Sequence, residues 1–167
     1  MRDGTILDTT VLKSKTPNID RMAHEGVEPD QFYAYPVCTP TWAALLTGKP
    51  PSRSGVVTAI GAADDPSLPR DAVTVAELLR KQRYGTAITG KWHLGNSLVV
   101  SPLSCGFNHA HGFLGPWVDI YTHLTQKNKI TWHRDGEFIE EKGHATDLRE
   151  KCFDNLSISS IILKKCS

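Results

Sequence analysis

The stretch Val73-Thr74-Val75-Ala76-Glu77-Leu78-Leu79-Arg80-Lys81-Gln82-Arg83, followed by Tyr84-Gly85-Thr86-Ala87-Ile88-Thr89-Gly90, decides the fold class. Val75, Leu78 and Leu79 recur at helical spacing, and the second half reads as a short buried strand ending in a turn. The same order of elements recurs upstream. Thr16 to Gly26 reads as a helix, with Thr16 as N-cap, Pro17 at the first helical position and Gly26 just past the end. Val27 to Tyr35, with Phe32, Tyr33 and Tyr35, reads as a strand, and Thr41 to Thr47 reads as a helix ended by Gly48 and Pro50-Pro51. Such alternation predicts an α/β fold, helices flanking a mostly parallel sheet, with functional loops gathered at the strand C-terminal ends. Cys38 and Lys91-Trp92-His93 both follow predicted strands, so they are expected to converge there. Downstream, Ile130 to Ile139 reads as a hairpin, because Asp135-Gly136 supplies the positive φ angles of a two-residue turn.

Cys38 lies at the start of a predicted helix, where N–H groups and the helix dipole stabilise a thiolate or a bound anion. Lys91 and His93, two apart on extended chain, project to one side, and a cation beside an imidazole suits an anion. For each residue the plain structural role stays open: a buried thiol, a solvated lysine, a hydrogen-bonded histidine. The seven histidines show no HExxH spacing, and only His109 with His111 hints at a metal site.

The whole chain has 167 residues, 40% hydrophobic and 22% charged, which suits one globular unit or part of a larger one and excludes a second complete catalytic domain. Its net charge of +1 gives no basic excess for nucleic acid or an anionic membrane. Four cysteines, without a CxxC pair, make neither a disulfide scaffold nor a zinc knuckle. No apolar run fits a secretory signal or a membrane span.

Together, Cys38-Thr39-Pro40-Thr41-Trp42-Ala43-Ala44-Leu45-Leu46-Thr47-Gly48 and Gly90-Lys91-Trp92-His93-Leu94-Gly95 resemble the two signature segments of the sulfatase family. Thr16 to Ala23, Arg53-Ser54-Gly55 and Gly143 to Leu148 are similar to stretches common in arylsulfatases and N-acetylgalactosamine-6-sulfatase relatives. The resemblance runs from Thr16 to Leu148. It implies a hydrolase of sulfate esters on an alkaline-phosphatase-like α/β fold, present here incompletely. It also implies that Cys38 is converted to formylglycine by the formylglycine-generating enzyme, that Cys38 so modified helps bind Ca²⁺, and that Lys91 and His93 contact the sulfate and the nucleophile. The implied substrate is a sulfated small molecule or glycan, and the implied compartment is lysosomal or secreted.

Several positions depart from the family pattern. Trp42 stands where the motif has Arg, and an indole offers one donor and no charge. The paired aspartates of the calcium site have no clear counterpart. Asp3 and Asp8 form at most a remnant, and Asp64-Asp65 lies on the wrong side of Cys38. Residues 1–148 are therefore read as the N-terminal part of a sulfatase catalytic domain and 149–167 as a divergent tail, expected to arise from a truncated or frameshifted gene model. Two alternatives stand beside the active enzyme: a catalytically inactive sulfatase fragment or pseudoenzyme, and a phosphatase-like relative with Thr39 or Thr41 as nucleophile.

Overall fold

The computed structural model describes residues 15–61, 67–155 and 164–165. Asp3, Asp8, Asp64-Asp65 and most of the tail beyond Asn155 lie outside them. The chain divides into two units, residues 1–34 and 35–167. In the first, helix α1 spans Pro17–Glu25. Thr16 occupies the N-cap position, but its hydroxyl donates to the Asp20 carboxylate at 2.8 Å instead of capping a backbone N–H. The strand expected over Val27 to Tyr35 does not form. Pro29 and Pro36 punctuate this segment, each removing a ladder donor, and Phe32 and Tyr33 stay exposed.

The second unit opens with α2, Cys38–Thr47. It starts three residues before the predicted helix, because Pro40 falls in the first turn, where its missing N–H costs nothing. Gly48 closes the helix in the left-handed region at φ 65°, its N–H bonding the Ala44 carbonyl. A single turn, α3 (Pro51–Ser54), follows. Then comes α4, Val75–Lys81, capped by the Thr74 hydroxyl, which accepts from the Glu77 N–H at 3.2 Å. Its predicted apolar face is not the one it buries: Val75 and Leu78 are exposed, while Ala76 is in the core. Gly106 explains this, since a Cβ there would lie 2.4 Å from the Glu77 nitrogen, an approach that seats the helix on its Ala76 side.

The predicted strand over 84–90 divides into β1, Tyr84–Gly85, and β2, Ala87–Lys91. Two 3₁₀ turns, Leu98–Val100 and Leu103–Cys105, lead to β3, His109–Phe113. The predicted hairpin forms as β4 (Trp132–Arg134) and β5 (Glu137–Phe138), with Asp135 at φ 46° and Gly136 at φ 88°. Helix α5, Ala145–Asn155, runs without a break across position 149, the expected start of a divergent tail, and β6 (Lys164–Lys165) pairs antiparallel with β1.

The four-stranded sheet has the order β2-β3-β4-β5. β2 and β3 are parallel, the other two pairs antiparallel, so the α/β expectation stands with a mixed sheet and flanking helices. The main core gathers Ala43 and Leu46 of α2, Ala76 of α4, and Trp92, Leu94, Phe107 and Leu114 around the β2 and β3 ends. Trp92 is sunk in it, with Nε1–H donating to the Val100 carbonyl at 2.8 Å and the ring edge-on to Phe107. A second cluster of Phe113, Trp132 and Ala145 lies under α5.

Candidate active site

Two pieces of backbone bring the site together. The β2 strand runs out at Lys91, and the chain beyond it stays registered with β3: the Trp92 and His93 N–H groups bond the Phe113 and Leu114 carbonyls, each at 2.9 Å. His93 then turns into the left-handed region at φ 54°, uncommon for a residue with a side chain and a feature that concentrates at functional sites. That turn ends the extended chain, so simple alternation does not account for Lys91 and His93 meeting. They meet because both line a cavity of about 380 Å³ that also takes in Tyr35, Cys38 and Trp42.

Cys38 is the first residue of α2 and is exposed. Its Sγ lies 3.1 Å from His93 Nδ1, which also lies 3.2 Å from Thr39 Oγ1. On the far side of the ring, His93 Nε2 meets the Ile60 carbonyl at 2.7 Å. A carbonyl only accepts, so the proton sits on Nε2 and the Nδ1 lone pair is turned towards position 38. Burial pushes the His93 pKa below its ordinary value, the Ile60 bond opposes this, and the Lys91 charge lowers it further. The imidazole is therefore neutral at physiological pH. Thr39 is fully buried and accepts from the Ile60 N–H at 3.2 Å, so one residue's N–H and C=O hold both His93 and the hydroxyl beside its Nδ1.

Lys91 is half-buried and has no carboxylate partner among the described residues. Its charge is thus available to an anion in the cavity. Trp42 Nε1 is buried with no hydrogen-bond acceptor, so the position where an Arg is expected now holds an unanswered donor. The Thr41 hydroxyl is committed to the loop, donating to the Tyr35 carbonyl at 2.8 Å while accepting its N–H at 3.1 Å. That engagement, and the burial of Thr39, disfavour a threonine nucleophile.

Around Cys38 the described residues present an imidazole, a hydroxyl and an ammonium, and no carboxylate. Such donors do not suit Ca²⁺, which takes six or more oxygens. No group of three His, Cys, Asp or Glu that could hold a metal occurs among the described residues. His109 and His111 do not cooperate as a metal pair: His109 faces Asp135 at 3.6 Å, while His111 Nε2 is 2.7 Å from Glu141.

The family model for sulfatases matches residues 7–159, nearly the whole chain. The chain belongs to the sulfatase family. The family is one of sulfuric ester hydrolases. It is 43% identical to human steryl-sulfatase over 111 residues, which is 59% of this chain and 19% of that protein. It is 38% identical to human N-acetylgalactosamine-6-sulfatase over 134 residues, 75% of this chain and 26% of that one. A solved sulfatase from Pseudoalteromonas sp., PsFucS1, superimposes with a TM-score of 0.64 at 29% identity, covering 85% of this chain and 34% of that one. The solved structure of BT4656 in complex with its substrate D-glucosamine-2-N,6-O-disulfate gives 0.64 at 34% identity, covering 85% and 26%. This sulfatase chain thus spans about a fifth to a quarter of the curated relatives it matches, and its fold is a part of the alkaline-phosphatase-like fold.

The structure gathers Cys38, Lys91 and His93, the residues the motif order singles out, around one cavity. Ile60 was missed, since its role is played by backbone atoms that no residue pattern announces.

Proposed function

We propose that this chain carries the nucleophile and sulfate-holding side of a sulfate ester hydrolase, with Cys38, Lys91 and His93 as its working residues. The observation that carries the reading is the 3.1 Å approach of Cys38 Sγ to His93 Nδ1 in a cavity shared with Lys91. Converted to formylglycine by the formylglycine-generating enzyme, Cys38 would supply the hydroxyl that attacks sulfur. The neutral His93, its tautomer fixed by Ile60, offers a lone pair to the proton of whatever group stands at position 38. Lys91 binds the sulfate oxygens, and the α2 N-terminus favours negative charge beside Cys38. Residues 1–148 are the N-terminal part of the catalytic domain and 149–167 its divergent tail. The substrate is a sulfated small molecule or glycan, and the compartment is lysosomal or secreted.

A second reading, an inactive sulfatase fragment or pseudoenzyme, is favoured by Trp42 and by the lack of a carboxylate around Cys38 among the described residues. An aryl sulfate assay with and without Ca²⁺, alongside peptide mass spectrometry of residue 38, separates the two. The catalytic reading expects turnover that Cys38→Ala abolishes and a peptide mass shifted from thiol to aldehyde. An unmodified thiol and no turnover under either condition overturn it in favour of the inactive form.

A further inference from the structure

We propose that the cavity between Trp117 and the turn at Gln126–Lys129 is a second ligand site, taking one anionic, sulfated saccharide unit beside the Cys38 cavity. The cavity is about 160 Å³. Drug-sized ligands fill roughly 300–1,000 Å³, so this one suits a single ring. Its walls come from a loop whose shape is fixed by its own hydrogen bonds. Leu114 N–H bonds Thr131 C=O at 3.3 Å across the base, and Asp119 N–H bonds Leu124 C=O at 2.9 Å. Thr125 N–H bonds Lys129 C=O at 3.0 Å, closing the turn that carries Gln126 and Lys127. The site is therefore built before any ligand arrives.

Each wall residue supplies one element of saccharide recognition. Trp117 is 40% exposed and presents an apolar ring to the cavity, a platform for the C–H face of a sugar. Gln126 offers an amide donor and acceptor. Thr131 Oγ1 is buried and has no hydrogen-bond partner among the described residues, so a ligand hydroxyl would satisfy it. Lys127 and Lys129 form no ion pair among the described residues. The Asp119 carboxylate forms no ion pair with them among the described residues; its Oδ1 accepts the N–H groups of Tyr121 and Thr122 at 3.0 and 2.8 Å. An aromatic platform, neutral hydrogen-bonding groups and two uncompensated ammoniums together select a sugar that carries negative charge.

Position strengthens the case. Leu114, whose carbonyl holds the His93 N–H, is followed directly by Gly115, which lines the second cavity. Asn96, also lining it, is three residues beyond His93, so their Cα atoms lie within about 11 Å. On the sulfatase reading, the unit to be desulfated would sit at Cys38 and the next at Trp117. Only this pairing of the two cavities rests on the sulfatase reading. Binding at the second does not require turnover at the first.

The test is calorimetric titration of the full chain with a sulfated disaccharide from heparin, its desulfated counterpart and inorganic sulfate. The sulfated disaccharide is expected to bind at least about tenfold more tightly than either control. Trp117→Ala and the double variant Lys127→Ala/Lys129→Ala are each expected to weaken it about tenfold or more, while Trp117→Phe retains most of the affinity. Equal binding of the desulfated sugar, or undiminished binding by the lysine variant, overturns the proposal. The lysines are exposed, so their replacement leaves the fold intact even if Trp117→Ala disturbs it. Disaccharide binding without aryl sulfate turnover would remove the catalytic reading and keep this site. Turnover with no effect of these variants on disaccharide binding would do the reverse.

Discussion

Acidifying the protein from about pH 7.5 to about pH 4.5 is expected to remove on the order of 2–3 kcal/mol of stability through His133 alone. This β4 residue is 1% exposed, and its Nδ1 has no hydrogen-bond partner. Burial first, and then the His111 charge, lower its pKa from 6.5 to about 4, with Asp135 pulling against both. The unfolded chain gains a proton on this histidine near pH 6.5, whereas the folded chain resists until about pH 4. Between those values the unfolded state binds more protons, so stability falls as pH falls. At about pH 4.5 the unfolded form gains a factor of roughly 75, which is about 2.5 kcal/mol. His93 and His111, both held below their ordinary values chiefly by burial, add slope of the same sign. Glu141 contributes only at lower pH: burial raises its carboxyl, but bonds from Trp132 and His111 outweigh that and hold it below the usual range. Its stabilising effect is lost as pH falls through that lowered value. Urea unfolding of wild type and His133→Gln at half-unit pH steps isolates the term, because the comparison is between slopes and not absolute stabilities. An identical pH slope in the two proteins would refute the reasoning.

Three further outcomes follow from contacts described above. Gly112→Ala would place a Cβ 2.0 Å from the Gly90 carbonyl oxygen, at φ +146°, and is expected to cost about 3 kcal/mol or more by chemical denaturation. Glu141→Ala strips the acceptor from Trp132 Nε1 and His111 Nε2, each 2.7 Å away, and is expected to cost about 3 kcal/mol, read as a lower urea midpoint. Trp42→Arg restores a guanidinium at the fifth position of the Cys38 motif and is expected to raise the aldehyde fraction at residue 38 about tenfold, the equivalent of one charge-assisted hydrogen bond, by peptide mass spectrometry.

What could be read without coordinates was whatever rests on local chemistry. Asp135-Gly136 announced its hairpin because few other dipeptides tolerate those backbone angles. Helix α4 was legible from Val75, Leu78 and Leu79, yet the face it buries was not, because Gly106, some thirty residues away, decides that. Strand β3 left no trace in the pattern: His109, His111 and Gly112 do not alternate with apolar residues, and His111 is buried only because Glu141 answers it. The expected strand over 27–35 had the aromatic content but not the backbone donors. At the site, Cys38, Lys91 and His93 could be named from two motifs in order, while Ile60, whose carbonyl sets the imidazole's tautomer, could not.

Trp92 stands between Lys91 and His93, and its ring belongs to the core while its neighbours belong to the cavity. Core and chemistry thus share a three-residue lever with a buried fulcrum. A smaller side chain at position 92 would let the lever tilt, moving an ammonium and an imidazole together and in opposite senses. Such a variant would present in an assay as a defect in the reaction, although the atoms removed lie within the hydrophobic interior. In this protein the packing of the interior at Trp92 and the placing of Lys91 and His93 are one and the same constraint.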